Sequence, residues 1–297
     1  MSTKLTRQEL EELVRQQQAQ LNAQQRELDD AGILHDSIFP EELPFHPQWG
    51  FGAATEPYHR VGGDVYDIIE LQRYKLAVVV GDIVDKGLRA SMHLQAFRYL
   101  LHYFIENKSY YGPSTSVAGV LMDMRRLKHG ASYDEILEKY QRQLAEGNQL
   151  ADILVQLNTA MLNRLNMFLT DVIVELDLKT GEYISARSGH PPPIIQYANG
   201  MITEIPYGNG TPVGIQKAGF IVDVQQGILN PGDTMFMYTD GITEVPYGKG
   251  MLGTNGLIEI INQMPKLSAQ DTANYLMKTI NSYKPTDDRT VVVLRRL

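Results

Sequence analysis

The sequence predicts an α+β protein built from antiparallel strands, with its helices grouped in blocks. Three observations carry this. From residue 168 onward, short strand-like runs are punctuated by turn chemistry: Lys179-Thr180-Gly181, Asn199-Gly200 and Pro231-Gly232-Asp233. Helical patterns cluster between Leu88 and Leu165 and again near the C-terminus, without the strand–helix alternation of a parallel sheet. In the stretch from Val61 to Gly87, two apolar runs flank Gln72-Arg73-Tyr74 and predict a hairpin.

The chain has 297 residues, 43% of them hydrophobic and 21% charged, enough for a sizeable core. A net charge of −8 without a basic stripe argues against a nucleic-acid partner. Cysteine is absent, which excludes disulfides, thiolate nucleophiles and Cys-ligated zinc. No apolar run reaches the length of a membrane span, and the polar N-terminus lacks a secretory signal. The expectation is a cytoplasmic protein.

Taken in order, residues 1–33 predict an N-terminal helix. Val14, Leu21 and Leu28 recur every seven residues, interleaved with Leu10, Gln17, Gln24 and Ala31, as in the seam of a dimerising coiled coil. A single solvated helix leaning on the domain is the other reading. Gly32 is expected to stop the helix, and residues 34–47 to form a linker. The main domain spans 48–297. It opens with a strand at Trp49–Thr55, followed by the hairpin. Leu88, Met92, Ala96, Tyr99, Leu100 and Tyr103 share a helical face and predict a core helix packed on the sheet. A helical insertion is expected near 107–148, then an amphipathic helix over Leu150–Leu165. Strands are expected at Phe168–Leu176, Tyr183–Ala186, Pro193–Tyr197, Met201–Ile205, Phe220–Val224 and Thr234–Thr239, helices at Gly256–Met264 and Ala269–Ser282, and a closing strand at Arg289–Leu294.

Four acidic points share one feature. Asp64, Asp82, Asp240 and the Asp287-Asp288 pair each sit at the edge of an apolar strand. In the predicted hairpin, Asp64 and Asp82 fall at the open end opposite the turn. An unpaired carboxylate beside a buried strand is costly, and a cation offsets that cost. Hard divalent ions such as Mg²⁺ and Mn²⁺ take oxygen ligands of this kind. Each Asp taken alone is more often a turn cap or strand-end residue than a ligand.

Further motifs extend the pattern: Gly62-Gly63-Asp64-Val65-Tyr66-Asp67; Gly81-Asp82-Ile83-Val84-Asp85-Lys86-Gly87; Phe168-Leu169-Thr170; Ser188-Gly189-His190-Pro191-Pro192; Thr211-Pro212-Val213-Gly214; Tyr238-Thr239-Asp240-Gly241; and Asp287-Asp288-Arg289-Thr290. In this order they resemble the bacterial PPM-type (protein phosphatase 2C-like) serine/threonine phosphatases of the SpoIIE/RsbU branch, over roughly residues 34 to 297. The resemblance implies a four-layer α-β-β-α sandwich. It implies a phosphoric monoester hydrolase in which two Mn²⁺ or Mg²⁺ ions activate water against phosphoserine or phosphothreonine. Asp82 would bridge both ions, Asp64 and the Ile83 carbonyl would serve the first, and Asp240 and Asp287 the second, with Asp288 as the neighbour to tell apart from Asp287. The implied partner is a phosphorylated STAS-domain anti-anti-sigma factor in a partner-switching pathway; a homodimer is expected through the N-terminal helix.

Other residues attract attention less strongly. His190 is a general-acid candidate or a turn residue. Arg60, beside His59, is a phosphate clamp or a surface residue. Asp67 is expected on the face opposite Asp64, and Lys86 is expected to be structural or a switch contact. The turn after Asp82 departs from the family's Ser-Gly-Lys/His-Gly pattern: Asp85 stands where a Gly supplies positive φ. It would alter the local backbone or add a metal contact. A catalytically impaired scaffold or sensor is the alternative reading. A diguanylate cyclase, suggested by Gly-Gly-Asp, leaves Asp240 and Asp287 unexplained.

Overall fold

The computed structural model describes residues 6–72, 74–106, 149–164, 167–216 and 218–297. Two five-stranded antiparallel sheets lie face to face. The first has the order β1 (Trp49–Glu56), β12 (Arg289–Arg296), β9 (Thr234–Tyr238), β6 (Ile194–Gln196), β7 (Ile202–Glu204). The second has the order β2 (Asp64–Gln72), β3 (Lys75–Ile83), β4 (Leu169–Asp177), β5 (Glu182–Ser188), β8 (Asp223–Ile228). A two-residue pair, β10 (Pro246–Tyr247) with β11 (Gly250–Met251), stands apart.

Alternation along the strands builds three apolar layers. Between the sheets, Leu76, Val78 and Val80 of β3 and Val172 and Val174 of β4 meet Met235 and Met237 of β9 and Val292 and Leu294 of β12. The opposite faces of the same strands carry the outer layers. Ala77, Val79 and Ile173 pack against helices α2 (Leu88–Glu106) and α3 (Gln149–Arg164). Phe236, Tyr238, Val291 and Val293 pack against α5 (Gly253–Gln263) and α6 (Ala269–Asn281). This is the expected α-β-β-α sandwich. One end of it is tied shut: Trp49 Nε1 donates to the Leu178 carbonyl at 2.8 Å, and Arg296 reaches the carbonyls of Thr180 and Leu229.

Several expectations need correction. The N-terminal helix α1 runs from Arg7 to Asp36, straight through Gly32. Gly32 is buried there because the Arg60 guanidinium occupies the space a Cβ would take. Helix α2 is a core helix, but on a different face from the one expected. Ala90, Leu94, Phe97, Leu101 and Ile105 are buried, while Met92 and Tyr99 are 66% and 72% exposed. Both stripes are apolar at helical spacing, so the pattern alone cannot choose between them. The strand expected at Phe220–Val224 begins only at Asp223, because Phe220 and Val222 pack into the helix-covered core as loop residues. Strand β3 continues past Val80 through Asp82 to Ile83. The insertion expected near 107–148 lies outside the described residues.

Candidate metal centre

The hairpin of β2 and β3 pairs Asp64 directly with Asp82, and on the other side of β3 Asp82 faces Thr170 of β4. Both acids extend the inter-sheet face, on the same side as Tyr66 and Val80. From the other sheet, β9 ends at Tyr238 and delivers Thr239 and Asp240, the latter opening the short helix α4 (Asp240–Thr243). Asp287 and Asp288 precede β12. Hydrogen bonds join the sheets here. Thr239 Oγ1 donates to Asp64 Oδ2 at 2.7 Å and accepts the Thr290 N–H at 2.9 Å. Asp288 accepts the N–H groups of Tyr58 and Gly63, each at 2.7 Å.

Close approach explains the glycine pair. A Cβ on Gly62 would stand 2.7 Å from the Asp288 carboxyl, and one on Gly63 would stand 2.7 Å from the Ile83 carbonyl oxygen. The pair lets the loop before Asp64 pass between those groups.

Burial shapes the electrostatics. Asp64 is fully buried, and desolvation, with Asp82 adding, holds its pKa well above the usual carboxylate range against the Thr239 hydrogen bond. Burial, then Asp240, Asp287 and Asp288, push Asp82 up to about 8, while Lys86 opposes them. Asp240 is raised by burial, by Glu244 and by Asp287. Such a set favours a cation, which reverses this balance. The donors are all oxygen, the chemistry Mg²⁺ and Mn²⁺ accept. Among the described residues, no three acidic or histidine groups stand in metal-ligand geometry. Asp287 Oδ2 instead pairs with Lys86 Nζ at 2.8 Å. The Ile83 carbonyl, beside Gly63, accepts the Asp85 N–H at 2.8 Å.

The other singled-out residues resolve as follows. Asp67 faces the helices, where its carboxylate holds Arg98 at 2.8 Å and His102 at 2.7 Å. His190 is fully buried, with Nδ1 2.8 Å from Thr170 Oγ1, and burial pushes its pKa down to about 3. Burial thus disfavours the imidazolium form that a proton donor would use. Arg60 is turned toward α1, near Asp36 at 3.3 Å and Asp29 at 3.9 Å. Asp85 is exposed and sits 3.5 Å from Arg89, while the positive φ of this turn falls on Gly87 at 71°. The Gly-to-Asp departure therefore leaves the backbone unstrained. His59 makes a ring contact with Tyr58.

Three residues were not anticipated. Thr239 joins the Asp64 carboxylate to the Thr290 N–H, and polar residues at strand ends carry no periodic signal. His35 of α1 is 3% exposed and accepts the Gly62 N–H at 3.2 Å, tying the N-terminal helix to the loop that presents Asp64.

The profile of the family "Stage II sporulation protein E (SpoIIE)" matches residues 72–297. The chain belongs to the SpoIIE family of PP2C-type serine/threonine phosphatases. Phosphoserine phosphatase RsbU of Bacillus subtilis is 19% identical over 281 residues, covering 91% of this chain and 70% of RsbU. Protein IcfG of Synechocystis is 27% identical over 265 residues, 85% of this chain but only 37% of IcfG, so the chain spans about a third of that relative. Among solved structures, the SiaA-PP2C domain of Pseudomonas aeruginosa superposes with a TM-score of 0.69 at 17% identity, over 93% of this chain and 98% of that one. The phosphatase domain of Bacillus subtilis SpoIIE, with a fragment of its regulatory domain, gives 0.62 at 21% identity, over 84% and 64%. The sandwich is thus the fold of the SpoIIE phosphatases. Among the described residues, no helix is long and apolar enough to cross a membrane.

Proposed function

We propose that the chain hydrolyses phosphoserine or phosphothreonine on a protein, using two Mn²⁺ or Mg²⁺ ions held by Asp64, Asp82, Asp240, Asp287 and the Ile83 carbonyl. The observation that carries this reading is the direct pairing of Asp64 with Asp82 at the end of the sandwich where the other sheet delivers Asp240 and Asp287. When bound, such ions supply an activated water and charge stabilisation for in-line displacement at phosphorus. The chain's own part is positioning. Thr239 fixes the Asp64 carboxylate, Gly63 leaves room for the Ile83 carbonyl, and Asp288 holds the loop before Asp64 through two backbone N–H groups. A water oxygen bonds to phosphorus, the bond to the Ser or Thr oxygen breaks, and no phospho-enzyme forms.

The substrate class best supported is a phosphorylated STAS-domain anti-anti-sigma factor in a cytoplasmic partner-switching pathway. Its support is the family and a relative named a phosphoserine phosphatase. The enzyme would act as a homodimer through α1. The test is Mn²⁺-dependent release of phosphate from phosphorylated STAS proteins, with Asp82→Asn as the blank. We expect Asp82→Asn to abolish turnover while circular dichroism and thermal unfolding remain native. Undiminished turnover in that folded variant sinks the assignment. One observation favours the rival reading of an inactive scaffold: Lys86 engages Asp287. Failure of the purified protein to bind Mn²⁺ would select that reading.

A further inference from the structure

We propose that Lys86 has two stations: it neutralises Asp287 until a divalent ion displaces it, and the released ammonium then meets the substrate phosphate. The inference rests on the phosphatase reading above and names how that site is loaded. Lys86 Nζ lies 2.8 Å from Asp287 Oδ2 and 3.4 Å from the Thr286 carbonyl, with the Tyr58 ring 5.8 Å away. It therefore holds a carboxylate that the second ion requires. Its charge also acts on Asp82 and Asp240, so it is shared by acids from both sheets. The neighbouring cation, Arg89 in the first turn of α2, is directed to Asp85.

A monovalent ammonium can neutralise one carboxylate, whereas a divalent ion binds several at once. Exchange therefore favours the metal while lowering its apparent affinity by the strength of the pair that must break. The displaced side chain cannot go far. It is anchored four residues after Asp82 in a turn fixed by the bond from the Lys86 N–H to Asp85 Oδ1 at 2.8 Å and by the left-handed Gly87. A flexible stem ending in a point charge suits a phosphate dianion approaching the same end of the sandwich.

The test compares wild type, Lys86→Met and Lys86→Arg in Mn²⁺ titrations by calorimetry, with KM measured on a phosphoserine peptide. The pair is about half exposed, and such pairs are worth up to ~1 kcal/mol, so Lys86→Met should bind the second Mn²⁺ roughly two- to fivefold more tightly. KM should rise in the same variant, and Lys86→Arg should keep Mn²⁺ affinity near wild type. Unchanged or weaker Mn²⁺ binding in Lys86→Met overturns the inference. Tighter binding with unchanged KM overturns the handover to phosphate. Asp82→Asn separates the two levels: if it binds Mn²⁺ as wild type does, the ions are not held here and the phosphatase reading itself fails. Lys86 is exposed, and native thermal unfolding of each variant confirms that folding is not what changed.

Discussion

Asp171 and His190 are fully buried titratable groups, and they act on stability in opposite directions. Burial raises Asp171 to about 8 against the nearby Ser188 hydroxyl. A raised folded pKa means stability is fully present below the unfolded value of about 3.9 and is lost as pH rises through 8. We expect Asp171→Asn to flatten the decline of melting temperature between pH 4 and 8. An unaltered decline would show that other groups carry it. His190 has the reverse sign: burial lowers it to about 3, so its contribution is present above its unfolded value of about 6.5 and lost as pH falls toward 3. Because it is neutral throughout the assay range, its place beside Thr170 is one of positioning. His190→Gln should change the magnitude of kcat/KM but not its pH profile between about pH 6 and 8. Loss of a titrating limb in that variant would restore the general-acid role.

At the scale of elements, α1 combines an exposed shaft with a buried foot. Its start is fixed by a capping box, with Thr6 and Glu9 bonding reciprocally. Leu10, Val14, Leu21 and Leu28 remain exposed along it. Near its end, His35 and the Arg60–Asp36 pair dock on the loop before Asp64. An exposed seven-residue repeat is self-complementary, which is the physical basis for the proposed dimer. The double substitution Val14→Glu and Leu21→Glu should shift sedimentation from dimer to monomer without unfolding the sandwich. A wild-type monomer at micromolar concentration would remove the seam. Helix α2 carries the complementary lesson. Its sequence offers two apolar stripes, and the sheet accepted the one that brings small Ala90 and bulky Phe97 inward.

For the whole molecule, the layered core is what holds acids from two sheets at one end. Phe236 illustrates the dependence: it is buried between β9 and the helices over that sheet, while its neighbours Met235 and Met237 face the other sheet. Phe236→Ala should cost about 3–5 kcal/mol, read as a lower urea midpoint at an unchanged slope. Because β9 leads directly into Thr239 and Asp240, Mn²⁺ binding should weaken in the same variant. The fold class and most strands were legible because period-two alternation and turn residues are local signals. Asp64, Asp82, Asp240 and Asp287 were legible because acids at the ends of apolar strands break that alternation conspicuously. Thr239, Thr290 and His35 were not, since a hydroxyl at a strand end or one histidine in a polar helix looks ordinary until its partner is known.

The sequence by itself determined which residues are acidic at strand ends, their order, the hairpin that pairs Asp64 with Asp82, and the repeat along α1. Those are consequences of spacing along one chain. Only the tertiary structure decided which face of α2 is buried, that α1 continues through Gly32 onto Arg60, and that Asp287 is held by Lys86 while Asp288 binds the Gly62-Gly63 loop. Each of these is a choice between local alternatives of similar energy, settled by contacts between segments far apart in sequence.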